Sequence, residues 1–179
     1  MEHELAVRRE GKAKYEATPL SFQFSAMTVK AAHAIALWAY PPPYTLYNHE
    51  AEHRPAAVRS MLDATNQFMT ITNSTGDRVG FCYFGNNAQV RGGCYERPAI
   101  DIGMGMRSNL TGKGHGKDLV EAVLNYTIGC PPDSRMRVTI AEFNTRAQRV
   151  WEKAGLQEES TFVRASDGVA FRVMARPPE

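Results

Sequence analysis

The stretch 110-LTGKGHGKDL-119 constrains this chain more than any other. Gly112, Gly114 and Gly116 alternate, and Leu119, Val120, Val123, Leu124 and Ile128 follow at helical spacing. Alternating glycines let a loop aim successive backbone N–H groups into one concavity. The loop runs into a helix N-terminus, where unpaired N–H groups and the dipole favour an anion. Lys113 and Lys117 add positive charge, as does His115 when protonated. Taken alone, the segment reads either as a phosphate cradle or as a flexible basic turn. Two familiar phosphate loops are excluded by spacing. A P-loop needs Lys and then Ser or Thr after its last glycine, whereas Lys117 and Asp118 follow Gly116. A dinucleotide fingerprint needs GxGxxG opening a βαβ unit, whereas GxGxG stands mid-chain.

Around the loop, hydrophobic periodicity predicts one domain of interspersed strands and helices, of α+β class, over residues 19–179. A polar leader, residues 1–18, precedes it. SFQFSA after Pro19 alternates as a strand. Thr28 caps a helix to about Tyr40, which three consecutive prolines (41–43) end. A second helix spans roughly 55–65. NQFMTITN and VGFCYFG form a hairpin about the turn 73–78, and 99-AIDIGMGM-106 is the next strand. After the cradle helix and the 131–134 break, MRVTIAEF is a strand. A helix from Asn144 to about Ala154 ends at Gly155, and strands at 157–164 and 169–176 close the chain. The predicted order is βααβββαβαββ.

The bulk numbers exclude several classes. The 179 residues suffice for one well-buried core, and 43% hydrophobic with 22% charged residues is ordinary for a globular protein. A net charge of +2 gives no case for nucleic acid. Cys82, Cys94 and Cys130 show neither disulfide nor zinc spacing, which favours a reducing compartment. Residues 1–18 lack a signal-peptide core, and no run approaches membrane-spanning length, so the cytoplasm is expected. His33, His49 and His53 are scattered, and no metal is expected.

LTGKGHGKDL, followed by a helix, a strand and 144-NTRAQRVWEKAGL-156, resembles the Gcn5-related N-acetyltransferases (GNAT). Their acetyl-coenzyme A loop reads Q/R-x-x-G-x-G/A, and their next helix N-x-x-A-x-x-x-Y-x-x-x-G-F. The resemblance implies a three-layer α/β arrangement, a mixed central sheet of about six to seven strands with helices on both faces, splayed open where acetyl-coenzyme A binds. It implies that Met104, Gly105 and Met106 offer backbone groups to the pantetheine arm. It implies too that Thr111, Gly112, Lys113, Gly114, His115, Gly116 and Lys117 surround the pyrophosphate. Asn144, Ala147 and Trp151 then face the cofactor from the following helix. The Met106 N–H is the implied oxyanion donor.

Two positions depart from the pattern. Thr111 replaces a long polar residue. Trp151 replaces the tyrosine that in many members protonates the departing thiolate, and an indole donates a hydrogen bond without serving as an acid near neutral pH. A thiol of pKa about 8.5 is nonetheless a reasonable leaving group.

For the amine side, Asp101 is the carboxylate of AIDIGMGM and the first candidate base, with a structural pair to an arginine as the alternative. Glu142 is the second candidate. Strand parity places Asp101 with Gly103 and Gly105, a face suited to something bulky passing over it. Trp38, Tyr40, Tyr44 and Tyr47, on the stiff segment 38-WAYPPPYTLYN-48, are candidates to bind the acceptor through aromatic faces. Packing of that segment onto the core is the competing reading. The expected activity is acetyl transfer to a primary amine, on a small molecule, a protein N-terminus or a lysine, by direct attack in a ternary complex. The acting unit is a monomer or homodimer. Alternatives are a non-catalytic acyl-coenzyme A sensor or interaction module, and an RNA- or ribosome-associated protein using the leader.

Overall fold

The computed structural model describes residues 21–127 and 135–176; the leader, Ile128, Cys130 and the 131–134 break lie outside the described residues. The element order is the expected one: β1 (Gln23–Ala26), α1 (Val29–Ala36), α2 (Arg54–Leu62), β2 (Met69–Thr72), β3 (Arg78–Phe84), β4 (Ile100–Met106), α3 (Gly116–Tyr126), β5 (Met136–Ala141), α4 (Thr145–Lys153), β6 (Gln157–Val163) and β7 (Ala170–Ala175). Helix α1 is shorter than predicted. The Thr28 hydroxyl accepts from the Ala31 N–H as its cap, but the helix stops at Ala36, before the prolines. Past them, Tyr44–Tyr47 form a single 3-10 turn.

All seven strands join one sheet in the order β1-β2-β3-β4-β5-β7-β6. Among the described residues only β4 and β5 pair in parallel, as the helical crossover α3 between them requires. Ile71, Cys82, Ile102, Val138 and Ile140 of the sheet pack with Leu119, Val120 and Val123 of α3 and with Trp151 of α4. A second cluster joins Ala32, Ile35 and Ala36 of α1 to Val58 and Met61 of α2, with Phe68, just before β2, and Phe81 of β3 against it. Phe81 lies opposite Gly105 and Cys82 opposite Met104, so the two clusters occupy opposite faces. The sheet is therefore a middle layer with helices on both sides.

The bulky groups over Gly103 and Gly105 prove to be the protein's own. A Cβ at Gly103 would lie 2.0 Å from the Tyr83 ring, and one at Gly105 would lie 2.3 Å from Phe81. Cross-strand aromatic rings from β3 fill the space that the absent side chains leave.

Candidate active site

Between β4 and β5 the sheet opens. Their pairing is confined to Ile100↔Met136 and Asp101↔Arg137, while β4 runs on to Met106. On its other side β4 remains paired with β3 as far as Gly80↔Met106. Hydrogen bonds from Gly85 N–H to Asp101 O and from Arg107 N–H to Val79 O show that odd-numbered residues of β4 face β3. The backbone groups of even-numbered residues therefore face β5. Ile100 N–H uses its bond on Arg135 O at 2.7 Å. Beyond it, Met104 and Met106 turn theirs into the gap.

At the foot of this fork lies a buried polar knot. Asp101 is 3% exposed and Arg137 2%. Arg137 Nε donates to Asp101 Oδ1 at 2.6 Å and Nη2 to Oδ2 at 2.8 Å, while Gln89 Nε2 donates to Oδ2 at 2.7 Å. The guanidinium also donates to Arg97 O and lies over the Tyr95 ring, whose hydroxyl meets Thr139 Oγ1. The Asp101 hydrogen bond raises the Arg137 pKa further, against the effect of burial. Both oxygens of Asp101 are thus committed, and the candidate base is corrected to a structural ion pair. Asp101 and Arg137 are cross-strand neighbours, which is why sequence parity alone could not separate the two roles.

Above the fork, β4 passes through a short turn into the glycine loop. Gly112 and Gly114 adopt φ of +74° and +90°, values that a side chain makes costly. Gly116 is needed for another reason: a Cβ there would come within 3.3 Å of Val150 on α4. His115 occupies the N-cap position of α3 and makes no side-chain cap, so the first-turn N–H groups have no capping side chain. Thr28 caps α1 and Asn144 caps α4. Thr111 spends its hydroxyl on Ser108 O at 2.8 Å. Lys113 is exposed, and Lys117 Nζ pairs with Glu121 at 3.5 Å. The His115 side chain lines a cavity of about 120 Å³ with Phe22, Val79, Met106, Leu110 and Leu119.

The proline segment folds onto the open end of the fork. Asn48 clamps it by accepting from Tyr40 N–H and donating to Tyr40 O. The Tyr40 hydroxyl donates to Met106 O at 2.8 Å, and Asn144 Nδ2 donates to the Tyr47 hydroxyl at 3.1 Å. One tyrosine therefore touches β4 and the other touches the cap of α4. Burial pushes the Tyr40 phenol up to about 12, with Tyr47 adding to it. Burial also raises Tyr47, against hydrogen bonding from Asn144 and the Ala141 backbone. Tyr44 packs on Phe143 and carries the Arg146 guanidinium 3.7 Å over its ring.

One predicted residue goes elsewhere, and one is drawn into the core beside the fork. Trp38 packs against Phe81 in the α1–α2 cluster, apart from the other three aromatics. Trp151 is 4% exposed and belongs to the main core, so its indole is first a packing group. Asn144 accepts from Ala147 N–H at 3.2 Å, which places both residues at the α4 end of the fork. Arg146, whose cluster 146-RAQR-149 reads in the sequence either as a solvated face or as a contact to the adenine-side phosphate, stands at the glycine loop. A Cβ at Gly112 would lie 3.4 Å from its Nη1.

Comparison with known proteins agrees with this geometry. No curated protein matches the chain in sequence. Among solved structures, an acetyltransferase (GNAT family) from Bacillus anthracis superposes with a TM-score of 0.63 at 17% identity, covering 86% of this chain and 93% of the other. The aminoglycoside acetyltransferase AAC(6')-Ib, in complex with ribostamycin and coenzyme A, gives 0.66 at 20% identity over 87% and 93%. A spermidine N-acetyltransferase chimera from Vibrio cholerae and human sequences gives 0.62 at 14% identity over 87% and 94%. These likenesses establish the fold. Residues 16–157 match the family described as the acetyltransferase (GNAT) domain, and the chain therefore belongs to the GNAT family of acetyltransferases.

Proposed function

We propose that this protein is an acetyl-coenzyme A-dependent N-acetyltransferase that acts on a primary amine by direct attack within a ternary complex. The observation that carries the reading is the fork. Backbone groups of Met104 and Met106 face a gap that leads to a glycine loop with an uncapped helix N-terminus. The residues fit the cofactor. Gly112 and Gly114, at positive φ, carry no side chain into the loop's concavity, and a Cβ at Gly114 would meet nothing within 4 Å. Unpaired amides and a dipole end are what a pyrophosphate requires.

Acetyl-coenzyme A supplies the activated thioester. In this reading Gly112–Gly116 hold its phosphates, and Met104 and Met106 align its arm as an added strand would be aligned, while Gly105, whose backbone groups face β3, is corrected from an arm ligand to a partner of Phe81. The Met106 N–H supports the carbonyl oxygen as it becomes negative. Asn144 and Ala147 border the other side of the arm. Tyr40 and Tyr47 flank the acceptor with their ring faces.

With Asp101 held by Arg137, the amine enters as its free base and loses its proton to solvent after attack. Glu142, the second candidate base, is exposed just past the end of β5. The acceptor is a small-molecule amine or a peptide amine, and the cytoplasm remains the expected location.

Thiol release from acetyl-coenzyme A, screened over small amines and N-terminal peptides, tests the reading. Turnover with any acceptor supports it. The pH dependence of kcat/KM should then follow the pKa of the amine when amines of different basicity are compared. Tight coenzyme A binding without release on any acceptor would replace the enzyme by an acyl-coenzyme A sensor.

A further inference from the structure

We propose that Arg146 is a ligand of the cofactor phosphates, reaching the glycine loop from α4, and that Tyr44 holds it in place. The inference rests on the cofactor reading above and adds a residue that lies outside the glycine loop. Two contacts define the guanidinium. It stacks 3.7 Å above the Tyr44 ring, and its Nη1 stands 3.4 Å from where a side chain at Gly112 would begin. Arg146 thus stacks on the proline segment while its Nη1 lies beside the loop at Gly112.

Its charge is also uncommitted. Among the described residues, Arg137, Arg164 and Arg172 each pair with a carboxylate, and so does Lys117 beside the loop. No ion pair among the described residues involves Arg146. A guanidinium offers a planar fork of donors that matches two phosphate oxygens, and stacking on an aromatic face limits its rotamers in advance of binding. The arrangement also answers the short side chain at the start of the loop. Thr111 reaches only its own turn, through Ser108 O. A long cationic side chain from α4 supplies from the opposite wall what a long residue at that position would supply from the near one. Tyr44 then acts as a positioning residue for the cofactor side, although it sits on the segment that carries the acceptor tyrosines. Phe143 backs its ring at 6.1 Å.

The test is binding without turnover. Coenzyme A is titrated calorimetrically into wild type, Arg146→Gln, Tyr44→Leu and Tyr44→Phe, with pantetheine, which has the arm but no phosphate, titrated by NMR. Arg146→Gln should weaken coenzyme A at least tenfold and leave pantetheine within twofold of wild type. The slope of log Kd against log salt should become shallower, as loss of a phosphate contact requires. Tyr44→Leu should weaken coenzyme A three- to fivefold, and Tyr44→Phe should restore most of that loss because the ring face remains. Thermal melts check that each variant is folded. Unchanged coenzyme A affinity in Arg146→Gln overturns the proposal, and so does an equal loss for pantetheine. Wild-type protein that binds no coenzyme A overturns the cofactor reading itself, and with it the role of Arg146.

Discussion

Replacing Asp101 by alanine separates a structural ion pair from a catalytic base. The carboxylate accepts three hydrogen bonds, two from Arg137 at 2.6 and 2.8 Å and one from Gln89 at 2.7 Å. After the substitution the guanidinium keeps only Arg97 O at 2.9 Å and the Tyr95 ring at 4.9 Å. A buried charge then stands uncompensated, which costs about 3–5 kcal/mol. For a chain of this size that corresponds to a fall in Tm of roughly 6–20 °C. Removing both partners, as Asp101→Leu with Arg137→Met, should recover most of the loss, because the desolvation cost of the charges disappears with them. Urea denaturation with linear extrapolation measures each corner of the cycle. A loss below about 1 kcal/mol, the scale of an exposed pair, would refute the argument. So would Asp101→Asn with wild-type stability and a rate deficit confined to low pH, which would return Asp101 to the role of base.

Three further outcomes follow from the geometry. Gly105→Ala forces a methyl into Phe81 and should cost about 1–3 kcal/mol, measured by the same denaturation. At Gly114→Glu the new Cβ meets nothing within 4 Å, so beyond backbone strain of about 1 kcal/mol it should spare stability while abolishing coenzyme A binding by calorimetry. Retained binding would remove the phosphates from the loop. Tyr40 has a folded-state pKa raised from 10.0 to about 12, so it binds its proton more tightly in the folded protein. Its contribution is fully present below pH 10 and is lost as pH rises toward 12. Tyr40→Phe should flatten the stability profile in that window, and an unaltered profile would show that the phenol is not buried.

Much of the fold could be read in the sequence because it is written in local rules. Period-2 runs gave the strands, Thr28 and Asn144 gave helix caps, and Gly155 at φ +90° ended α4 where a left-handed residue was needed. The glycine loop was legible for the same reason, since its positive φ values are a property of the backbone itself. Helix α1 was overextended because periodicity continues past Ala36, while the chain turns toward the prolines.

What the chain alone determined, then, was the order of elements, the loop and the family to which both belong. Tertiary structure decided which residue meets which. Asp101 and Arg137 are 36 residues apart and join only because β4 and β5 run parallel at their first two positions. Tyr40 reaches Met106 across 66 residues, and Tyr47 reaches Asn144 across 97. In the sequence Arg146 reads either as a solvated cation or as a phosphate contact until α4 lies beside the glycine loop. Local propensity cannot encode these meetings, since each depends on how the sheet opens and which face the helices cover.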